Sequence, residues 1–230
     1  MPQHHYTTCG LTRLAVITDV HADVHALHDA LAQIDQLGVD QILCCGDLVD
    51  YGLFPDETIA LLRERRVVTI RGNHDRWTLE PGGPTRTWDL SPASVTYLEA
   101  LPTGWRKLID GARVVLAHAR PGSDMRGIAS DMPALELIEL LDEAGADILL
   151  VGHTHEPFIR RLSEGRFVAN PGALLRDPAA GVDVLTPGTF AILDAATREY
   201  IVHRAKDGGH VALPTALPLT SRRRGRGSNG

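Results

Sequence analysis

The sequence is poor in cysteine and has no excess of positive charge. Its three cysteines, Cys9, Cys44 and Cys45, are an odd number, and two of them are adjacent within an apolar run. This usage is not typical of a disulfide framework, so we expect a cytoplasmic protein in which Cys44 and Cys45 are small buried apolar residues. The formal net charge of -6 gives no overall field that attracts nucleic acid, which we do not expect as a partner.

Long apolar segments are also absent. No uninterrupted apolar run approaches the ~18 residues of a membrane helix, so we expect no membrane association. The N-terminus, MPQHHYTTCG, lacks the basic start and long apolar stretch of a signal peptide. We predict one domain over residues 1–218, because 230 residues are ample for a sizeable core, and a disordered basic tail over 219–230.

What is present first is an alternation of apolar, β-branched runs with helical patterns. The pattern predicts strands over 11–19, 41–47 and 67–73, with helices over 23–38 and 54–66. Short links between them imply parallel βαβ units with right-handed crossovers. The later sequence predicts helices over 91–101 and 132–145, a strand over 147–154, and hairpins over 105–119, 158–172 and 188–205. Two packed sheets with helices outside accommodate both halves.

Most of the predicted strands end on a residue type that binds metals. The side chains concerned are Asp19, His21, Asp47, Asn73, His118, His153 and His155. Because sites in parallel α/β sheets form beyond the carboxyl ends of the strands, we expect all seven on one edge. A glycine precedes Asp47, Asn73 and His153, which allows a sharp turn and a close backbone approach. In GHTH, His153 and His155 would leave one face of an extended segment.

Seven donors of mixed oxygen and nitrogen type exceed what one ion uses, and therefore indicate two divalent ions. Two metals ~3.5–4 Å apart form a clamp for phosphoryl chemistry. Oxygen and imidazole ligands without thiolate favour manganese, with iron, nickel, zinc or magnesium as alternatives.

Two other interpretations of the histidines remain. The first treats them as surface residues, which is how we interpret His4, His5, His203 and His210 because they fit no pattern. The second is a zinc site on one helix face, formed by His21, His25 and His28. It is disfavoured because His21 precedes the predicted helix and the glutamate of H-E-x-x-H is missing.

The ordered blocks TDVHAD, CCGDLVDYG, RGNHD, LAHARPGS and VGHTHEPF, followed by NPGALL, resemble the motifs of the calcineurin-like metallophosphoesterase superfamily. The resemblance runs from residue 14 to about 194. The short chain and the NPG segment are similar to the small prokaryotic phosphodiesterase branch. The resemblance implies an α/β fold, a four-layer αββα sandwich of two mixed β-sheets flanked by helices, with a two-metal centre on its rim.

Carried over residue by residue, the resemblance implies a complete ligand set. The first ion would be held by Asp19, His21 and His155, the second by Asn73, His118 and His153, and Asp47 would bridge them. His74 would be the catalytic histidine near the leaving-group oxygen, with Asp50 as the aspartate that orients it.

The chain also departs from the family pattern. Ala22 and Ala119 replace frequent glycines, and Asp23 replaces the usual asparagine. Tyr51 stands where G-D-x-x-D-R-G phosphatases keep an arginine that grips phosphate, which weakens the protein-phosphatase interpretation. Arg120 would supply charge to the substrate, although we favour it as a surface arginine.

The implied activity is metal-dependent hydrolysis of a small phosphorylated substrate, a phosphodiester or also a monoester, by a water activated between two metals. The alternatives are a non-catalytic scaffold, as a retromer subunit of this fold shows, a phosphoprotein phosphatase, or a nuclease that uses the RRRGR tail. Residues 76–90, with Trp77 and Trp88, are predicted to form a loop or lid that either shapes the pocket or packs on the surface.

Overall fold

A computed structural model describes residues 12–84, 90–175 and 188–213, and its strands form two five-stranded sheets. The strands are β1 (Arg13–Ile17), β2 (Gln41–Cys44), β3 (Val68–Thr69), β4 (Gly104–Ile109), β5 (Ala112–Ala117), β6 (Ile148–Leu150), β7 (Phe158–Arg161), β8 (Phe167–Asn170), β9 (Thr189–Asp194) and β10 (Glu199–Arg204). The helices are α1 (Val24–Leu37), α2 (Pro55–Glu64), α3 (Asn73–Leu79), α4 (Pro92–Ala100) and α5 (Ala134–Ala144). A 3₁₀ turn, Ser163–Gly165, joins β7 to β8.

Both sheets mix parallel and antiparallel pairs. The first has the order β10-β9-β1-β2-β3, in which β1, β2 and β3 are parallel and β9 and β10 antiparallel. The second has the order β4-β5-β6-β8-β7, in which β5, β6 and β8 are parallel and the two outer strands antiparallel. The predicted parallel βαβ units are therefore confirmed, with α1 and α2 as the crossovers.

Three apolar clusters separate four layers. Helices α1, α2 and α4 bury residues such as Leu27 and Leu62 against the outer face of the first sheet. Residues such as Val16 and Leu116 fill the space between the sheets. Helix α5 covers the outer face of the second sheet, where Leu141 is fully buried. The predicted αββα sandwich is confirmed.

Local sequence signals account for several element ends. The carboxylate of Asp23 caps α1 by accepting a hydrogen bond from the backbone N–H of Ala26 (2.8 Å), and Gly38 ends that helix at φ 63°. Ser91 caps α4 in the same way. Asp110 and Gly111 both have positive φ in the β4–β5 turn, as a two-residue hairpin of type I′ requires.

Two expectations were wrong within the described residues. The segment predicted as a loop over 76–90 begins inside α3, a short polar helix whose sequence lacks apolar periodicity; Trp88 lies outside the described residues. His203 is not a surface residue, because its ring is buried and stacks on Phe190 with ring centroids 5.2 Å apart. The pairing of β9 with β10 places it there, and isolated histidines give no sequence signal for such packing.

Other expectations have separate outcomes. Cys44 and Cys45 are free and buried, as predicted. His210 is exposed, as predicted, whereas Cys9, His4, His5 and the tail over 219–230 lie outside the described residues. None of the helices in the described ranges combines the length and apolar character that a membrane crossing requires.

Candidate metal centre

All seven predicted ligands lie together where the carboxyl ends of the parallel strands of both sheets meet. The loops after β1 and β2 carry Asp19, His21 and Asp47, α3 begins with Asn73, and the loops after β5 and β6 carry His118, His153 and His155. The site is therefore an interface between the two sheets, built from five separate segments. Their roles as ligands stay a prediction, which the geometry below supports.

The first cluster consists of Asp19, His21 and His155. The Nε2 atom of His155 lies 3.2 Å from Oδ1 of Asp19 and 3.2 Å from Nε2 of His21. Nε2 of His21 lies 3.8 Å from the same aspartate oxygen. Three donor atoms from two sheets thus face one small space.

The second cluster consists of Asp47, His118 and His153, with Asn73 beside them. Oδ1 of Asn73 lies 2.9 Å from Nε2 of His118 and 2.9 Å from Nδ1 of His153. Oδ2 of Asp47 lies 3.2 Å from Nε2 of His118 and 3.8 Å from Nε2 of His21. Oδ2 of Asp47 therefore faces a ring nitrogen of each cluster, which agrees with the predicted position of a bridging carboxylate.

These separations fit divalent ions. Donors bound at ~2.1 Å and at roughly right or tetrahedral angles lie about 3.0–3.4 Å from one another. The observed separations of 2.9–3.8 Å correspond to edges of such coordination polyhedra with little adjustment. The set combines carboxylate, amide and imidazole donors, and no cysteine of the described ranges belongs to it.

Each carboxylate has one oxygen anchored and one directed at the imidazoles. Oδ2 of Asp19 accepts hydrogen bonds from the hydroxyl of Thr18 (2.7 Å) and the backbone N–H of His153 (3.0 Å). Oδ1 of Asp47 accepts one from the backbone N–H of His74 (2.9 Å). The other oxygens are the ones nearest the ring nitrogens, although Oδ1 of Asp19 also lies 3.2 Å from the His153 N–H, so the donors are held in place before any ion binds.

Backbone carbonyl groups fix the orientation of two imidazoles. Nδ1 of His118 lies 2.8 Å from the carbonyl oxygen of Cys45, and Nδ1 of His21 lies 3.2 Å from that of Val49. A proton on each Nδ1 donates to these carbonyls, which leaves Nε2 free to bind an ion.

The electrostatics of the site couple the two sheets. Burial opposes ionisation of Asp47 and of Asp19, but His118 outweighs it at Asp47, and His155 at Asp19, so the pKa of each carboxyl lies below its usual value. Burial likewise opposes the charged form of His118, yet Asp47 raises the pKa of His118 to about 10. The charges of the Asp47 carboxylate and the protonated His118 therefore stabilise each other across the interface of the two sheets.

The remaining imidazoles divide in the same way. Burial lowers the pKa of His21 to about 4 despite the carboxylates of Asp47 and Asp19. Burial also lowers the pKa of His153, helped by His118. His155 has a raised pKa, because Asp19 outweighs the effect of burial. Each cluster thus contains one neutral imidazole, ready to bind a metal, and one imidazole paired with a carboxylate.

Backbone strain is concentrated at this site. Of the twelve non-glycine residues with positive φ in the described chain, eight are at the site: Asp19, His21, Ala22, Asp47, Asp50, Tyr51, His153 and His155. Such conformations cost free energy and cluster where function requires them. Ala22 has a φ of 56°, which accounts for the glycine that is usual there in the family.

The backbone conformation at the site differs from the prediction in two details. His153 and His155 are not on an extended segment, because β6 ends at Leu150 and both residues have positive φ. They lie instead in a turn that directs one ring to each cluster. Of the three glycines that precede Asp47, Asn73 and His153, only Gly46 has a positive φ (101°), whereas a Cβ on Gly152 would lie 2.5 Å from Oδ2 of Asp19. Gly152 is therefore needed for the close approach of the two sheets, not for its backbone conformation.

His74 and Asp50 lie beside the first cluster. Nδ1 of His74 is 2.7 Å from Oδ2 of Asp50, and the His74 and His21 rings meet edge to face at 4.9 Å. Burial would raise the pKa of Asp50, but the bond to His74 and the backbone N–H of Tyr51 lower it. The Tyr51 hydroxyl lies 3.4 Å from Nε2 of His74, and the ring of Trp77 is 4.8 Å away.

Sequence reasoning missed two supporting residues. Asp75 is fully buried, and its carboxylate accepts hydrogen bonds from the backbone N–H groups of Asp47 (3.0 Å), Leu48 (2.7 Å), Val49 (3.3 Å) and Gly72 (2.9 Å). Its position directly after His74 in GNHD was the available signal. Asn170 supports the other sheet.

The amide of Asn170 holds the turn that carries the two histidines. It donates to the carbonyl oxygen of Gly152 (2.8 Å) and to the hydroxyl of Thr154 (3.1 Å), and its oxygen accepts from Gly172 N–H (2.8 Å). The NPG segment was the sequence signal for it. The alternative zinc site does not form, because His25 and His28 are exposed on α1 and His21 faces His155.

Comparison with known proteins agrees with this geometry. The chain is 31% identical over 174 residues to a probable metallophosphoesterase of Methanothermobacter thermautotrophicus, covering 74% of this chain and 83% of the relative. It is 28% identical over 178 residues to an uncharacterized protein of Methanocaldococcus jannaschii, covering 71% and 70%.

A crystal structure of a metallophosphoesterase from Sphaerobacter thermophilus shares the fold, with a TM-score of 0.67, 24% identity, and coverage of 88% of this chain and 90% of that one. The family model for the calcineurin-like phosphoesterase superfamily domain matches residues 13–198. That span contains both donor clusters and both sheets almost entire, and the chain belongs to the calcineurin-like phosphoesterase superfamily.

Proposed function

We propose that this protein hydrolyses small phosphoesters, phosphodiesters above all, at two divalent ions. The observation that carries the proposal is the position of the His74–Asp50 pair against two adjacent donor clusters. The ions, when bound, supply electrostatic stabilisation of the phosphoryl oxygens and an activated water as nucleophile. Family membership supports a hydrolase of phosphoesters.

The chain's own residues divide the remaining work. We assign Asp19, His21 and His155 to one ion and Asn73, His118 and His153 to the other, with Asp47 between them. Asp50 holds Nδ1 of His74, so Nε2 is the atom that gives a proton to the leaving-group oxygen. Hydrogen bonds from or to Thr18, Asp75 and Asn170 keep the donor atoms in place during the reaction.

The surroundings of His74 favour a diester. Tyr51 and Trp77 place uncharged aromatic rings against His74, the histidine assigned to the leaving group. A diester carries one negative charge and an organic group on each side, so aromatic walls suit it. A monoester dianion would gain more from a cation at the position of Tyr51.

The test is hydrolysis of bis(4-nitrophenyl) phosphate and 4-nitrophenyl phosphate by chelator-treated protein supplied with Mn²⁺, Fe²⁺, Ni²⁺, Zn²⁺ or Mg²⁺. We expect Mn²⁺ to support the highest kcat/KM on the diester. His74→Asn should lower kcat by roughly 100-fold or more while the metal content stays unchanged, since general acid catalysis contributes about that much.

The matched control is His28→Asn, which removes an exposed histidine from α1 and should leave both kinetic constants unchanged. Full activity of His74→Asn would remove the proposed role of this residue. A protein that binds no ion in excess Mn²⁺ and cleaves neither ester would instead support a non-catalytic scaffold.

A further inference from the structure

A cationic cavity borders the metal centre on the side of His118. It has a volume of about 400 Å³, and the described residues that line it include three arginines, Arg71, Arg76 and Arg120, but one acidic residue, Asp124. The cavity therefore carries positive charge in a chain whose net charge is -6. A local field opposite in sign to that of the whole protein favours a specific anion over general attraction.

One of the three arginines is already neutralised. Nε of Arg76 donates to Asp124 (2.7 Å), and another of its nitrogens donates to Glu80 (2.7 Å). Two carboxylates hold this guanidinium in place, so its charge is compensated within the protein. The charge available to a ligand must come from the other two arginines.

Arg120 is fixed in place without a carboxylate partner among the described residues. Its guanidinium donates to the carbonyl oxygens of Arg126 (2.8 Å) and Gly127 (3.0 Å), and its backbone forms a tight turn with Ser123. Carbonyl groups orient the side chain but leave its charge uncompensated and several of its five N–H groups free. This is the arrangement of a prepared anion site, not of a freely moving surface arginine.

Arg71 supplies the second unpaired charge. It lies between β3 and Gly72, and its backbone N–H is fixed to the carbonyl oxygen of Pro102 (2.8 Å). Its guanidinium has no hydrogen bond or ion pair to any residue in the described ranges. Arg71 is partly buried, so it has lost some hydration without gaining a partner. An anionic ligand in the cavity would provide that partner.

A second cavity extends the first one away from the metal centre. It has a volume of about 560 Å³ and shares Thr103 and Gly122 with the cationic cavity. Its wall includes the ring of Trp105. The two together give space for an organic group larger than a single phosphate.

We propose that Arg71 and Arg120 form an anion subsite beside His118 that binds a second phosphate group of the substrate. The preferred substrates are then organic phosphoesters that carry a further phosphate away from the ester that is cleaved. The proposal deepens the function above and rests on it, because the cleaved phosphoester must lie at the metal centre. Planar guanidinium groups recognise phosphate oxygens through paired N–H donors.

The test compares the binding of two probes that differ by one phosphate, thymidine 3′,5′-bisphosphate and thymidine 5′-phosphate. Calorimetry on the full, metal-loaded chain gives the Kd of each, and the ratio of the two measures the subsite. We expect the bisphosphate to bind at least about tenfold more tightly, as one charge-assisted contact allows. Arg71→Gln and Arg120→Gln should each lower this ratio by about tenfold, so that the two probes bind with nearly equal Kd.

Arg126→Gln is the matched control, because it removes an equal charge from the same loop as Arg120 but from an exposed side chain that does not line the cavity. It should leave the ratio unchanged. The subsite is overturned if the unaltered protein shows no preference, if both arginine variants keep it, or if Arg126→Gln loses it equally.

Turnover separates the two proposals. The 4-nitrophenyl 5′-esters of the same nucleotides, with and without the 3′-phosphate, should show a corresponding ratio of KM values. If neither ester is cleaved but the binding ratio depends on Arg71 and Arg120, the subsite stands and the proposed activity fails. If both esters are cleaved with equal KM, the activity stands and the subsite fails.

Discussion

The two sheets contribute different chemistry to the metal centre. Among the seven predicted ligands, segments that follow strands of the first sheet supply both carboxylates, the amide oxygen of Asn73 and the imidazole of His21, whereas those of the second supply three imidazoles. The two imidazoles with raised pKa, His118 and His155, belong to the second sheet and face carboxylates of the first. Negative charge is thus confined to one side of the interface, and bound ions would join the sheets.

We expect the most severe loss of activity from removing the carboxylate that faces both clusters. Asp47→Asn should lower kcat/KM by more than about 100-fold, since even residues that only orient ligands cost 10- to 100-fold. It should also reduce the binding of both ions, because Asp47 faces His118 and His21. Metal analysis and kcat/KM on a nitrophenyl diester measure the two effects.

His155→Asn is the matched variant from the second sheet. It removes one donor from the first cluster only, so the metal content should fall by about one ion per chain. Retention of both ions by Asp47→Asn would contradict the position of this residue between the clusters.

The sequence predicted the members of this site better than their arrangement. Polar residues that follow apolar runs, such as Asp19 and Asp47, can be recognised in the sequence as candidate site residues. The apolar runs predict strands, and the carboxyl ends of parallel strands lie on one edge of the sheet. Which residue faces which depends on how the two sheets pack, and periodicity within one strand contains no information about that. His155 therefore joins Asp19 across the interface, although 136 positions separate them.

The supporting residues were hidden for a related reason. Asp75 binds the backbone of the preceding loop, and backbone groups carry no sequence identity from which a partner could be inferred. The fold itself was predictable, since the βαβ alternation and the turn at Asp110 and Gly111 are local signals. The short helix α3 was missed because its polar sequence has no apolar face.

The two supports should differ in strength. Asp75→Ala in the first sheet leaves up to four backbone N–H groups without their acceptor and should cost about 3 kcal/mol or more in free energy of unfolding. Asn170→Ala in the second sheet loses fewer bonds and should cost about 1–2 kcal/mol. Urea unfolding measures both, with Glu139→Ala as an exposed carboxylate control. Equal losses would show that both loops depend on packing instead.

Removal of the metal ions should lower the thermal stability of the protein, because ions that join the two sheets stabilise the folded chain. At 100 times its Kd, each Mn²⁺ that binds should add about 2.7 kcal/mol. For a chain of this length that corresponds to roughly 5–10 °C in Tm for each ion. Thermal unfolding with and without chelator measures the shift. Asp47→Asn should show a clearly smaller shift, and an equal one would place the stabilising ion elsewhere.

The smallest effect is expected at the opposite ends of the second sheet's strands, far from the metal centre. There Asp147, just before β6, accepts hydrogen bonds from the backbone (2.8 Å) and guanidinium (2.7 Å) of Arg113, and the bond from Arg113 lowers the pKa of Asp147 to about 2. Because this pKa lies below its unfolded value of about 3.9, the contribution to stability is present above that pH and is lost as the pH falls toward 2.

Asp147→Asn should cost about 1 kcal/mol or less in free energy of unfolding near pH 7, since the guanidinium of Arg113 is 57% exposed. Urea unfolding of both proteins should show this difference disappearing as the pH is lowered, with kcat/KM at neutral pH unchanged. A large loss of activity would show that the two ends of the sheet are coupled, and that the metal loops are not independent of the strands behind them.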